Sequence, residues 1–407
     1  MDRATVLTQT TTADGIELSH AERNRTLLLL SGGHGVAHWY NGILSVLYPA
    51  LTVSLGLSFS QVGLFDSSRG ALAVLVSLAG GYLADVFGHR RLMLAFALAS
   101  LGVCTFFLSF STTFIVALLW LTIGGIGNSL WHPYALPVLN TLFAKRRGLA
   151  IALHDAGANS FHGIAPVAVG AMLSVWHWET VTRLHLWPGV IMGLFLLLLI
   201  PKVELGTTKK QTRHGYRSAL GSGLFRNRQF LVASGVSGGL TMGRLGLFTF
   251  LPLFLAFELH LDSTFQGLYM GILTLSGALL SPLTGMLADR FGFRTVLMVA
   301  MLLGSIVIAA LSVTRHGILL AAMIAFLGIA LFSTRSLIMV YAMNVVPEEL
   351  GGSSVGAVFS INRMFGILAP LLAGFMADFY GLRIVFYFLG GLVFVGMLLT
   401  FALRSEV

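Results

Sequence analysis

Apolar runs of membrane length, separated by short polar punctuation, fill almost the whole chain. Twelve of them predict helical spans, at 26–54, 60–83, 91–110, 113–142, 148–173, 182–201, 228–257, 264–287, 294–313, 316–344, 352–376 and 381–403. A crossing needs about 20 apolar residues, so the longer runs tilt or protrude. The pattern also repeats. Gly81-Tyr82-Leu83-Ala84-Asp85-Val86-Phe87-Gly88 returns 204 positions later as Gly285-Met286-Leu287-Ala288-Asp289-Arg290-Phe291-Gly292. The same offset joins Gly63 to Gly267, Gly124 to Gly328, Ala165-Pro166 to Ala369-Pro370, and Gly170 to Gly374. One offset held over separated sites predicts an all-α integral membrane protein made by duplication. Its twelve transmembrane helices would form two pseudo-symmetric six-helix bundles with a path between them.

The expected divisions are a polar tail at 1–25, a bundle at 26–201, a polar linker at 202–227, a second bundle at 228–403 and a short tail at 404–407. Residues 1–25 lack a basic start followed by an apolar core, so no cleavable leader is expected. Charged residues make up 10% of the chain, against about 25% in soluble domains. The 47 glycines suit close helix packing in lipid. A single cysteine, Cys104, excludes an intrachain disulfide.

A net charge of +9 could signal nucleic acid, but its placement excludes that partner. Eighteen of the 25 Lys and Arg fall on the side of the two termini, three (Arg183, Arg315, Arg383) on the other, and four within spans. The positive-inside rule then makes both termini cytoplasmic in a multi-pass inner-membrane protein. The basic linker is expected to lie against anionic lipid.

The motif at 81–91, Gly-Tyr-Leu-Ala-Asp-Val-Phe-Gly-His-Arg-Arg, resembles the signature loop between the second and third helices of the major facilitator superfamily. Residues 285–294 resemble its repeat between the eighth and ninth helices. The resemblance implies a monomeric, alternating-access transporter of a small molecule rather than an enzyme, with no cofactor and a proton gradient as energy source. It also implies a conformational latch at Gly81, Asp85, Gly88, Arg90, Arg91, Gly285, Asp289, Gly292 and Arg294. The glycines would permit close approach, the carboxylates would accept from backbone N–H groups at a helix start, and the arginines would bridge to carboxylates. The alternative is that these residues only anchor the turn at the membrane surface.

A narrower resemblance rests on His38, Asn41, Tyr48-Pro49, Trp131-His132-Pro133 and Gly157-Ala158-Asn159, which are similar to the fosmidomycin resistance branch. It implies proton-driven export (antiport) of a small, often anionic, compound. The chain departs from common exporter patterns at Gly42, Trp120 and Ala165. Proton-coupled uptake of an organic anion, multidrug efflux of lipophilic cations and a transporter-fold receptor are the alternatives.

Ionisable residues inside a membrane are costly and mark function. Here they are Asp66, Arg69, Asp155, Arg244, Arg335 and Arg363, with His34, His38, His132, His154 and His162. They avoid spans 3 and 9 and the middles of 6 and 12, the four that the resemblance places against lipid. His34, His38 and Asn41 share one helix face, as do Asp155, Asn159 and His162. Asp66 and Arg69 read as an i, i+3 ion pair, with Arg69 equally a candidate for substrate. Four arginines against two carboxylates leave surplus guanidinium, which suits an anion.

The expected substrate site is therefore Arg244, Arg335 and Arg363, with His38, Asn41, His132 and Arg69. Asp155 is the expected proton carrier, with His38 and His132 competing. For His34, His154 and His162 a hydrogen bond to a neighbouring helix is the competing reading. No metal and no catalytic group are expected. His34 and His38 stand at i, i+4 but have no acidic third ligand near in sequence, Gly351-Gly352 lacks a phosphate-loop lysine, and no nucleophile–base pair stands out.

Overall fold

The computed structural model describes residues 18–87, 89–201, 227–335, 337–338, 341 and 351–404, without the side chains of 77–87 and 351–360. The linker at 202–226, the tails at 1–17 and 405–407, and Gly88 lie outside the described residues. Among the described residues there is no strand.

The helices run in chain order as α1 (His20–Leu55), α2 (Phe59–Phe87), α3 (Arg90–Leu108), α4 (Phe114–Leu142), α5 (Arg147–Leu173), α6 (Trp178–Leu184), α7 (Leu186–Leu199), α8 (Arg228–Phe257), α9 (Ser263–Leu279), α10 (Ser281–Phe291), α11 (Phe293–Leu311), α12 (Ile318–Leu327), α13 (Gly351–Tyr380) and α14 (Leu382–Thr400). A π-helical turn, Gly328–Ser333, continues α12. Among the described residues seven spans, one of them α6 and α7 together, are long and apolar enough to cross a membrane, and the α9–α10 pair makes an eighth if counted as one bent span.

Local sequence explains the ends. Ser19 and Glu22 form a capping box at the start of α1, and Gly56 closes it at φ +61°. Asn227 caps α8 and Asp262 caps α9 through their side-chain oxygens. The eighth predicted span is bent by 46° between α9 and α10, where Pro282 stands in the first turn of α10 and brings no N–H to the ladder. The sixth is interrupted at His185.

Packing follows the 204-residue offset. In the first half α1 packs on α5, α2 on α4, and α3 on α7; in the second half α8 packs on α13, α9 on α12 and its π turn, and α11 on α14. The halves meet along two matching seams, α2 with α13 and α5 with α9. A Cβ on Gly63 would run into the carbonyl of Pro370, and one on Gly267 into the carbonyl of Pro166. Gly374 lies on Phe59 and Ser60, as Gly170 lies on Ser263 and Gly267. These contacts are the same repeat positions taken in opposite order. Lipid provides no hydrophobic drive between helices, so small residues and backbone approach hold such a seam together. Two polar ties reinforce the α2–α13 seam. Asp378 accepts from the backbone N–H groups of Phe59 (2.7 Å) and Ser60 (3.0 Å), capping α2 from the opposite half. Ser67 Oγ donates to the carbonyl of Ile367 at 2.6 Å.

Both seams lie toward the membrane face away from the termini. Toward the terminal side α5 is exposed at Leu149, Leu153 and Asp155, and toward the other end it is buried at Ala165, Val169 and Gly170. Gly63→Ile or Gly267→Ile is expected to wedge a seam, since overpacking costs about 1–3 kcal/mol. In a Cys104→Ser background, a cysteine placed at Ser60 should then react with an impermeant maleimide about tenfold faster or more. An unchanged labelling rate would mean that the seam does not gate that face.

Candidate substrate site

The first half supplies a bank of imidazoles. His34 and His38 come from α1, His132 from α4, and His154 and His162 from α5. The rings of His34 and His154 stack at 4.0 Å between centroids. His38 and His132 meet His34 edge-on at 4.7 and 4.8 Å, and His162 meets His38 at 5.6 Å. Trp131 Nε1 donates to His154 Nε2 at 3.4 Å, and His34 Nδ1 lies 3.2 Å from the carbonyl of His154. Asp155 places Oδ1 3.8 Å from His34 Nδ1 and keeps 55% of its side chain exposed.

The second half supplies guanidinium. Arg244 is on α8, Arg335 follows the π turn, and Arg363 is on α13. Among the described residues none of the three makes an ion pair or hydrogen bond, and the Nη1 atom of Arg363 is buried without a partner. Arg244 lies over the ring of Phe332, 5.3 Å from its centroid. Electrostatic interaction crosses the cavity between the banks: Arg335 with Asp155, His38 and His132, Arg363 with His132, and Arg244 with His162. The arginines also interact with one another, Arg244 with Arg335. The π turn leads directly to Arg335 and packs closely on α9, where Gly328 abuts the carbonyl of Leu273. Such turns often sit at functional sites.

Beneath the cavity, next to the seams, is a separate polar network. Asp66 accepts from Tyr48 (2.5 Å), from Arg69 (3.1 Å) and from Thr249 of the opposite half (2.6 Å). Arg69 also donates to Asn41 at 2.8 Å, and Asn41 donates to Asn128 at 3.2 Å.

The sequence model of the Major Facilitator Superfamily matches residues 30–363 and 236–407. The chain belongs to the Major Facilitator Superfamily. Relatives in the superfamily are distant. An uncharacterized MFS-type transporter, YfnC, of Bacillus subtilis (strain 168) is 24% identical over 389 residues, 91% of this chain and 92% of its own length. A probable 4-methylmuconolactone transporter of Cupriavidus pinatubonensis is 22% identical, covering 84% of this chain and 80% of that one. The multidrug resistance protein MdtG of Salmonella choleraesuis is 31% identical over 144 residues, 35% of each chain. The fold is similar to that of a bacterial homologue of the human lysosomal transporter Spinster, solved inward-facing and unoccupied. That match has a TM-score of 0.83 at 17% identity and covers 95% of this chain and 97% of that one. The nucleoside transporter NupG matches with a TM-score of 0.75 at 17% identity, covering 93% and 98%. The chain is thus a multi-pass membrane transporter and not an enzyme, with the superfamily's twelve-helix architecture.

Within this superfamily fold the predicted residues separate into three groups. Arg335 interacts electrostatically with Asp155, His38, His132 and Arg244, and Arg363 with His132. Arg69 and Asn41 belong to the Asp66 network, each already hydrogen-bonded. The latch residues lie on the side of the termini. Gly88 and the side chain of Asp85 lie outside the described residues, and Gly81 is described by its helical backbone alone. Arg90 is buried, Arg91 half-buried and Asp289 exposed. A Cβ on Gly285 would meet nothing within 4 Å among the described residues. Gly292 adopts φ +83°, a value that favours glycine, and turns the chain between α10 and α11. Arg294 donates to the carbonyl of Phe401 at 2.8 Å and so ties α11 to the end of α14, with no carboxylate partner among the described residues.

Sequence reasoning missed Asn128, Thr249 and Asp378. Asn128 carried a usable signal, four residues before His132 on one face of α4.

Proposed function

We propose that this protein exports a small anionic or zwitterionic compound in exchange for protons, as a monomer with no cofactor. It would sit in the cytoplasmic membrane with both termini in the cytoplasm. The single observation that carries the reading is the set Arg244, Arg335 and Arg363: three guanidiniums that make neither ion pair nor hydrogen bond among the described residues. Such groups favour a bidentate partner such as a carboxylate, phosphonate or phosphate. The relative named for 4-methylmuconolactone, an organic acid, fits that class, and the one named for multidrug resistance fits export.

Asp155 would carry the proton. It is open to the cavity and interacts with Arg335, the arginine with most partners in the opposite bank. In an exchange, proton and substrate occupy the cavity alternately. Arrival at Asp155 of a zwitterion's ammonium, or of Arg335 moving in with its bound anion, would release the proton, and departure of the substrate would let the carboxylate take up the next. His38 and His132 stand close enough to share the task. With termini cytoplasmic, as the 18:3 split of basic residues supports, the open cavity would face the cytoplasm and await cargo.

The test is a thermal-shift panel of organic anions, phosphonates, zwitterions and lipophilic cations, followed by counterflow in proteoliposomes with and without a pH gradient. Stabilisation by anions and pH-driven exchange would support the reading. Stabilisation only by lipophilic cations would replace it with multidrug efflux. Binding without counterflow would indicate a receptor.

A further inference from the structure

We propose that residues 374–383 are a latch on the membrane face away from the termini, holding the two halves together there until transport parts them. Gly374-Phe375-Met376-Ala377-Asp378-Phe379-Tyr380-Gly381-Leu382-Arg383 carries the pattern of 81–90 and 285–294 once more. Glycine, alanine, aspartate, an aromatic, glycine and arginine follow one another at the same spacing in all three. The other two loops join spans 2 to 3 and 8 to 9 on the side of the termini. This one joins α13 to α14, on the opposite face.

Each element of the pattern does here what a latch requires. A Cβ on Gly374 would lie 2.6 Å from the carbonyl oxygen of Phe59 and 2.7 Å from the Cα of Ser60, so glycine is what admits α2 this closely. Asp378 accepts from the N–H groups of Phe59 and Ser60 at the start of α2, where the helix dipole favours a carboxylate. Gly381 turns the chain at φ +85°, as Gly292 does at +83°. Arg383 pairs with Glu258 at 2.8 Å, donates to the carbonyl of Ser312 and lies over the ring of Phe254. Those three partners belong to the second half. The arginine therefore anchors the turn to its own bundle while the aspartate reaches across to the other.

The duplication shows that this reach is more than a helix cap. The 204-residue offset relates Asp378 to Ser174, Gly381 to His177 and Arg383 to Glu179, so the first half has no equivalent. Ser174 donates to the carbonyl of Ala171 at the end of its own helix. The start of α9 is capped from within by Asp262, which accepts from Thr264 (2.9 Å) and Phe265 (3.1 Å). The repeat equivalent of Asp262 is Ser58. At α2, then, the carboxylate has moved from the helix's own flank to the opposite half, and the cap has become a tie between bundles.

The experiment uses the full chain in lipid nanodiscs, in a Cys104→Ser background. Spin labels are placed at Thr112→Cys and Val313→Cys, exposed positions on that face in opposite halves, and pulsed electron resonance reads the distance between them. Asp378→Ala is expected to raise the longer-distance population roughly fivefold, the factor that loss of a carboxylate cap represents. Adding Ser58→Asp to Asp378→Ala caps α2 from within, on the pattern of Asp262. It should restore the thermal midpoint and leave the longer-distance population raised. An unchanged distance distribution in Asp378→Ala overturns the proposal. So does return of the wild-type distribution in the double variant, because Asp378 would then be a helix cap and no more. If Asp378→Ala fails to fold, the double variant read against wild type decides in the same way. No substrate is added, so the result is independent of the anion reading.

Discussion

Arg335→Ala is expected to lose substrate-induced thermal stabilisation and counterflow together, with affinity falling by tens- to several-hundredfold. A charge-assisted hydrogen bond is worth about 1.5–3 kcal/mol, and a bidentate guanidinium–anion pair makes two. Arg335 is the natural centre of the anion site. It is exposed, makes no ion pair among the described residues, and interacts with Asp155, His38, His132 and Arg244. Arg335→Lys keeps the charge and loses the fork, so intermediate affinity is expected. Because the guanidinium supports no described hydrogen bond, the ligand-free midpoint should move little. A large fall in that midpoint with unchanged affinity would make Arg335 a structural residue and leave Arg244 and Arg363 to hold the anion.

Asp66→Ala should instead damage the protein before any ligand is added. The carboxylate receives Tyr48 from α1, Arg69 from α2 and Thr249 from α8, and it is therefore shared by both halves. Side-chain exposures of 21% for Asp66 and 15% for Arg69 mean that water can replace little of this. Removing one partner of a buried pair costs 3–5 kcal/mol, so a loss of about 3 kcal/mol is expected after allowing for residual solvent. It would appear as a clear drop in thermal midpoint and loss of transport. The double variant Asp66→Ala, Arg69→Ala should recover part of the midpoint, because it no longer leaves the guanidinium unpaired. Equal midpoints for Asp66→Ala and wild type would rule out the network as a tie between the halves.

The two expectations differ in how far the sequence foreshadows them. Span positions, the duplication and the seam residues were all legible, since Gly63, Pro166, Gly170 and their repeats carry one offset and meet in space. The avoidance of lipid-facing helices by charges was legible too, because solvation cost acts on each residue singly. Juxtapositions between helices were not. His34 and His154 stand 120 residues apart and stack only because α1 crosses α5. Thr249 reaches Asp66 across 183 residues, and no helical period encodes which hydroxyl arrives there. Asp378 capping α2 likewise depends on how the halves dock, since a cap is read from local sequence only when it lies beside its own helix.

The division of labour between the two banks has an electrical consequence. Histidines and Asp155 stand on one wall, Arg244, Arg335 and Arg363 on the other. With neutral imidazoles the three arginines exceed the one carboxylate by two charges, the Asp66–Arg69 pair cancelling. An unloaded carrier therefore holds two uncompensated positive charges near mid-membrane, and each elementary charge carried through the full field is worth about 2.3 kcal/mol per 100 mV. A dianion, or a monoanion with Asp155 ionised, changes that load. The empty and filled carriers should thus respond unequally to an imposed voltage, with the return of the empty form the more sensitive step.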